Sequence, residues 1–334
     1  MERESPKNFI VILLLEMNTY SIDKGVTIRA PSTANLMVDC LNSINGANDN
    51  PGLRQFTASQ AFQNGFFTRV GVTEFILQYN IPNVVGTDLS GFQFTCDISG
   101  TTSNTLMRVP NGSYNVAELI DAVVAAMNAN GSFGTVSVQQ NYINPTNAHS
   151  SAQVAIYATG GFRFSASQPS TNLSGTIQTL LGVPLGGPWA TRKAIGPQPL
   201  STNQVRYLDF VSNQLTYAQD LKDANTTSTP YDVLLRWYFS YTDQQPLLDK
   251  YGYTIPYASY SLNERRLFNP PKQIKWDSNL PLGNFQVEVL VEQSGITNTP
   301  PAPISQYIDR VSAITGQTKS SMLSYLFTLQ LTEN

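Results

Sequence analysis

At 334 residues the chain is long enough for two ordinary domains, or for one large β-domain carrying an insertion. Charged residues make up 13%, about half of the usual share, and a net charge of −3 excludes the concentrated basic surface that broad nucleic-acid binding requires. Asn, Gln, Ser and Thr replace the missing charge, which suits a β-protein whose faces meet other protein, because charge is depleted from interface cores.

The chain opens on an apolar run at 9–15, "FIVILLL", far too short to span a bilayer. Glu2 and Glu4 spoil the basic region of a signal peptide, and Glu16 follows with no small-residue cleavage site. Residues 1–32 are therefore expected to form an N-terminal arm, with no membrane span. The two cysteines, Cys40 and Cys96, are too few for a disulfide framework. Each falls in an expected strand (36–41 and 92–98), where Cys acts as a small buried hydrophobe, and a reducing compartment fits. The sequons at Asn111, Asn130, Asn172 and Asn225 are what an Asn/Ser/Thr-rich chain holds by chance.

"ANLMVDCL" predicts a first strand, and "NSINGANDNPG" a turn-rich gap. A long β-rich run over 67–79 closes on Pro82. "GFQFTCDIS" places Phe92, Phe94, Cys96 and Ile98 on one face of a short strand. A helix follows in "NGSYNVAELIDAVVAAMNANG": Asn115 is its N-cap, Glu118 the capping-box partner, and Asn130–Gly131 the stop. Its apolar stripe is Leu119, Ile120, Val123, Val124 and Met127. Short strands are expected in "TVSVQQN", "AQVAIYA" and "GFRFSAS", then a short helix in "GTIQTLLG" ended by Gly182. Residues 105–185 thus read as a compact α+β unit, with "GVPLGGPWATRKAIGPQP" as the linker leaving it.

The β pattern then resumes. Leu208 and Phe210 share a face in "VRYLDFVSNQL". "YDVLLRWYFSY" alternates most strongly, with Tyr231, Val233, Leu235, Trp237, Phe239 and Tyr241 on one side. After a long loop, residues 272–295 predict a hairpin. Ile274 and Trp276 share a face before its turn. Phe285, Val287, Val289 and Val291 share one after it, with Gln286, Glu288 and Glu292 pointing away. A Pro-rich loop, "NTPPAPISQY", leads to a last strand with Tyr325, Phe327, Leu329 and Leu331 on one face. About eight strands outside the α+β unit, each with one face to bury, require two packed sheets. The expected fold is all-β: a single eight-stranded jelly-roll β-sandwich with an inserted α+β domain. Its parts are 1–32 (arm), 33–104 (core), 105–185 (insertion) and 186–334 (core).

No catalytic, cofactor or metal residues are expected. The single histidine, His149, sits in a polar loop without a G-x-S-x-G elbow or an accessible cysteine to form a triad. No Cys/His spacing suits zinc, and no EF-hand or P-loop is present. Glu288 and Glu292 could pair as glycosidase carboxylates, but simple alternation makes theirs a solvated or interface face. Arg192 with Lys193, and Arg265 with Arg266, are expected in solvated loops.

Four stretches carry a family resemblance. "NLMVDCLNSINGANDNPGLRQFTAS" with "GFFTRVGVTEFILQYNIPNV" forms the first, and "NGSYNVAELIDAVVAAMNAN" continued by "GFRFSAS" and a Leu-Leu-Gly-Val-Pro turn the second. "KQIKWDSNLPLGNFQVEVLVEQSG" and "YLFTLQLTEN" complete them. In this order they resemble the penton (minor capsid, vertex) proteins of virophages and Polinton- or Maverick-type viruses, over most of the chain from about residue 33. Cys40–Leu41 departs from the family pattern, which has a small polar residue and then a charged one after Val-Asp. The resemblance implies a structural protein: a single jelly roll with an insertion, assembled as a homopentamer at icosahedral fivefold vertices beside hexon-like trimers of a major capsid protein. It implies residence in the virion capsid, assembly inside the infected host cell, no specific nucleic-acid binding and no cofactor. The competing readings are a double-jelly-roll major capsid protein, needing about sixteen core strands, a trimeric fibre or tail component, and a secreted carbohydrate-binding β-sandwich with aromatics out of register with the core.

Overall fold

A computed structural model of the chain describes residues 33–44, 50–57, 67–143, 154–170, 172–196, 205–216, 233–239, 248–253, 262–271, 273–275, 283–293 and 302–332. The expected arm, His149, Trp276, Tyr231 and Tyr241 lie outside these residues.

Antiparallel strands in three five-stranded sheets dominate. The first sheet runs β1 (Thr33–Asp39), β15 (Leu323–Thr332), β3 (Arg69–Tyr79), β11 (Leu262–Leu267), and β12 (Gln273–Lys275) continues the β11 edge along β3. The second runs β10 (Val233–Tyr238), β9 (Val205–Val211), β13 (Asn284–Gln293), with β2 (Leu53–Thr57) and the two-residue β14 (Ala302–Pro303) sharing the outer edge of β13. Without the two short strands β12 and β14, eight strands of five or more residues remain. Their spatial orders, β1-β15-β3-β11 and β10-β9-β13-β2, have the connectivity of a jelly roll.

The alternation expected of the longest strands is present. Tyr325, Phe327, Leu329 and Leu331 are buried, as are Phe285, Val287, Val289 and Val291, and Leu208 with Phe210. Phe75 sits at the centre, 4.6 Å from the ring of Phe210 and 5.4 Å from that of Trp237, across the two sheets. On β10 the alternation slips. A register shift between Val233 and Leu235 buries Leu234, while Leu235 is only partly buried.

Residues 272–295 do not form the expected hairpin. β12 pairs with β3 in the first sheet and β13 with β9 in the second, so the two strands belong to facing sheets. Alternation specifies a buried face, and facing sheets satisfy it as well as a shared one. The Pro-rich stretch also differs from expectation: β14 is followed at once by helix α3 (Ile304–Thr315), which turns Ile304, Ile308 and Val311 onto the sandwich core. Gly52 lets that helix approach, since a Cβ there would lie 2.8 Å from the Ser305 nitrogen.

The third sheet, ordered β5-β4-β7-β6 with β8 on β7, lies between β3 and β9 in sequence. It contains β4 (Phe92–Ile98), β5 (Thr101–Val109), β6 (Val136–Gln140), β7 (Val154–Phe164) and β8 (Ala190–Ala194). Helix α1 (Val116–Asn130) covers it, with Leu119, Ile120, Val123 and Met127 buried against Phe94, Phe162 and Ile156. The capping box of Asn115 and Glu118 and the left-handed Gly131 form as expected. Helix α2 (Ile177–Leu181) ends on Gly182, also as expected.

The expected limits 105–185 cut β5 and leave β4 and β8 outside, although all three pair within this sheet. The core assignments divide between Val84, which packs in the lobe, and Val85, which packs in the sandwich. Ile195 marks the exit. "AQVAIYA" and "GFRFSAS" form one strand, β7, rather than two. At the entry a Cβ on Gly86 would lie 1.8 Å from the Gly91 carbonyl oxygen, so only glycine fits there.

Candidate functional site

Among the described residues no group of three or more His, Cys, Asp or Glu side chains could hold a metal ion. No helix among them is long and apolar enough to cross a membrane. Cys40 and Cys96 are both buried. Burial pushes the Cys40 thiol up to about 11, although the Tyr325 N–H donates to its sulfur at 3.1 Å. Burial raises Cys96 as well. Thiols so placed are protonated and poor nucleophiles at neutral pH. Cys40 opens a 3-10 turn after β1 rather than extending the strand, because the Asp39 carboxylate accepts from the Leu41 N–H and turns the chain.

Both basic pairs lie in strands rather than loops. Lys193 on β8 is 7% exposed, and its Nζ donates to the Pro188 carbonyl. Burial, then the nearby Arg163, lowers its pKa. Arg265 pairs with Glu74 and Arg266 with Glu264. Arg266 also stacks over the Trp237 ring at 3.9 Å and donates to the Tyr238 carbonyl. It thereby ties β11 of the first sheet to β10 of the second.

Two lateral edges of the sandwich therefore face opposite ways. One consists of β1 and β2, joined by the Ile44 N–H donating to the Gln55 carbonyl at 2.8 Å. The other consists of β10 and β11. Each carries exposed apolar side chains, those on the strands at positions of opposite parity to the core. Met37 (66% exposed), Leu41, Ile44 and Leu53 lie along the first, and Tyr238 and Leu267 (68% exposed) along the second. Beside Tyr238 the Arg236 guanidinium grips Asp209 at 2.7 and 2.8 Å and lies over the Tyr207 ring at 4.2 Å. The Asp209 carboxylate, foremost, holds the Arg236 pKa above its ordinary value. These outward residues went unremarked in the sequence, yet the signal of Met37, Leu53, Tyr238 and Leu267 was legible: an apolar residue out of phase with a strict alternation.

Residues 248–253, from the part of the chain after β10, pack onto the lobe. Asp249 accepts from the Ala117 N–H at the start of α1, Lys250 pairs with Asp121, and the Tyr251 hydroxyl donates to the same carboxylate at 2.8 Å. Within the lobe Asp97 is buried. Burial alone would raise its pKa, but donation from Ser165, the Asn104 N–H and Arg163 outweighs that and holds it below the usual value. Arg163 also donates to the Gly187 carbonyl and the Thr102 hydroxyl, so the network bridges several segments of the lobe. Glu288 is half-buried on the outer face of β13, with its carboxyl raised by desolvation. The Glu292 side chain lies outside the described residues.

No family model and no curated protein sequence matches the chain. Among solved structures it is similar to the crystal structure of the mavirus penton protein, with a TM-score of 0.41 and 11% identity over 91% of this chain and 99% of that one. It is also similar to a chain of the Sputnik virophage cryo-EM structure, with a TM-score of 0.40 and 11% identity over 91% and 97%.

Proposed function

We propose that the chain is a structural protein of an icosahedral viral capsid, assembled as a homopentamer at the fivefold vertices among trimeric major-capsid capsomers, and built into the virion inside the infected host cell. The observation that carries the reading is the strand order of the sandwich, with the lobe entering between β3 and β9. This is the architecture implied by the order of the sequence motifs. The two opposed lateral edges support it. A ring closes only through a heterologous contact, in which one side of each copy meets the other side of its neighbour. The β1/β2 and β10/β11 edges offer two such sides, each with exposed apolar groups.

Sedimentation and native mass spectrometry at high protein concentration test the stoichiometry. Pentamers are expected, with association that depends little on salt because the arginines of the β10/β11 edge already pair with carboxylates of their own chain. Met37→Glu on one edge and Leu267→Glu on the other should each abolish the ring. Monomer stability should change by no more than about 0.5 kcal/mol, as at other surface sites. Trimers would instead indicate a major capsid or fibre protein, and a strict monomer with glycan affinity a carbohydrate-binding module.

A further inference from the structure

Residues 248–253 come from the connection between β10 and β11, two strands of the sandwich, yet they are seated on the lobe. The loop they form is closed by its own bonds. The Asp249 N–H donates to the Tyr253 carbonyl at 2.8 Å and the Gly252 N–H to the Asp249 carbonyl at 2.9 Å. One carboxylate oxygen of Asp249 accepts from the Tyr251 and Tyr253 N–H groups. Gly252, at a φ of 84°, supplies the left-handed turn that this closure needs. The side chains of the loop then reach the lobe. The second Asp249 oxygen takes the Ala117 N–H at 3.1 Å, a donor at the start of α1 that no helical carbonyl can satisfy. Lys250 and the Tyr251 hydroxyl both hold Asp121, one turn further along α1. Tyr253 is buried in the lobe core, and Tyr251 packs against it.

We propose that residues 249–253 are a detachable strap, a preshaped loop docked on a recognition site of the lobe and able to leave it without unfolding either body. The site fits a peptide with an acidic residue for the start of α1, followed at the second and fourth positions by tyrosine. The contacts are of a kind that opens. Lys250–Asp121 is a half-exposed ion pair, which holds weakly in water. The Tyr253 hydroxyl is buried without a hydrogen-bond partner, so its burial carries a penalty that release removes. Phe94, Phe162, Leu119 and Ile120, all fully buried, form the lobe core beside it. Docked, the strap adds a noncovalent link between lobe and sandwich to the two covalent ones, at Val84–Val85 and after Ile195. Its release would leave the lobe freer to move.

Amide hydrogen exchange on the intact protein tests the release. The Ala117 N–H is held by the strap, and the neighbouring Glu118 N–H by Asn115 of the lobe itself. Protection at Ala117 is expected to be lower than at Glu118 by about tenfold or more, because a local opening frees it alone. Equal protection would mean that both open with the helix, and would overturn the strap. The site is tested with the double variant Asp249→Ala/Tyr253→Ala and a peptide of residues 247–255. The variant should keep the protection of Val123 and Met127 in α1. The peptide should shift the Ala117, Glu118 and Asp121 amides saturably in the variant and not in the parent, where the tethered loop competes at an effective concentration of about millimolar. A peptide carrying Asp249→Asn should bind about five- to tenfold more weakly, through loss of the charge-assisted bond. Lost protection at Val123 and Met127 would make the loop part of the lobe core and overturn its detachment. A folded variant that ignores the peptide would overturn the recognition site, as would a peptide that shifts parent and variant alike.

Discussion

Trp237 is fully enclosed, with the Phe75 ring on one side and the Arg266 guanidinium on the other. Trp237→Ala should therefore cost about 3–5 kcal/mol in a urea titration, the transfer and cavity terms together. Glu288→Gln, on an outer face, should move stability by no more than about 0.5 kcal/mol. Asp97 should show itself through acid. Its folded pKa lies below its unfolded one, so its contribution is complete above the unfolded value and is lost as pH falls through the folded value. Asp97→Asn should accordingly flatten the acid limb of a stability–pH curve while lowering stability near neutrality. Both thiols should resist a thiol-reactive dye until the protein unfolds, since neither Cys40 nor Cys96 exposes any surface. The burial of each was legible because a small apolar side chain sat in phase with Val38 or with Phe94. The Asp97 network was not, since Arg163 and Ser165 are far from Asp97 in sequence and all three are ordinary in type.

At the scale of elements, the strands that bury a full face announced themselves and the edges did not. β15, β13, β9 and β3 alternate because their inner positions are apolar. β11, "LNERRL", and β8, "ATRKA", lie at or near sheet edges where few positions are buried, and edge strands carry charge by necessity. β5 begins with four exposed polar residues and shows its pattern only at Met107 and Val109. Helix α3 was masked by the prolines that precede it, although Ile304, Ile308 and Val311 recur at helical spacing and Gly316 supplies a left-handed stop. Pairing between strands was the least legible property, which is why the two strands of 272–295 were assigned to one sheet. The helix caps give a direct check. Asn115→Ala should lower stability by about 1 kcal/mol, because Asn115 accepts from the Glu118 N–H at 2.8 Å. Gly52→Ala should cost about 1–3 kcal/mol by overpacking the approach of α3.

For the whole molecule, the boundary between Val84 and Val85 predicts how the chain can be divided. Replacing residues 87–196 by a short Gly/Ser bridge should leave a soluble protein with β-type circular dichroism, because closure entropy changes slowly with loop length. Excising 104–186 should not, since β4 and β8 would remain with most of their partners gone. The last strand in chain order carries a different consequence. β15 lies between β1 and β3 and pairs along its length with both. Until β15 has been synthesised, β1 has no neighbour in the first sheet and β3 lacks one of its two flanks. The first sheet is therefore complete only once β15 is in place, and β1 joins it only through β15. A copy lacking residues 323–332 would leave β1 unpaired, so the strand made last among the sandwich strands is the one on which the first sheet depends.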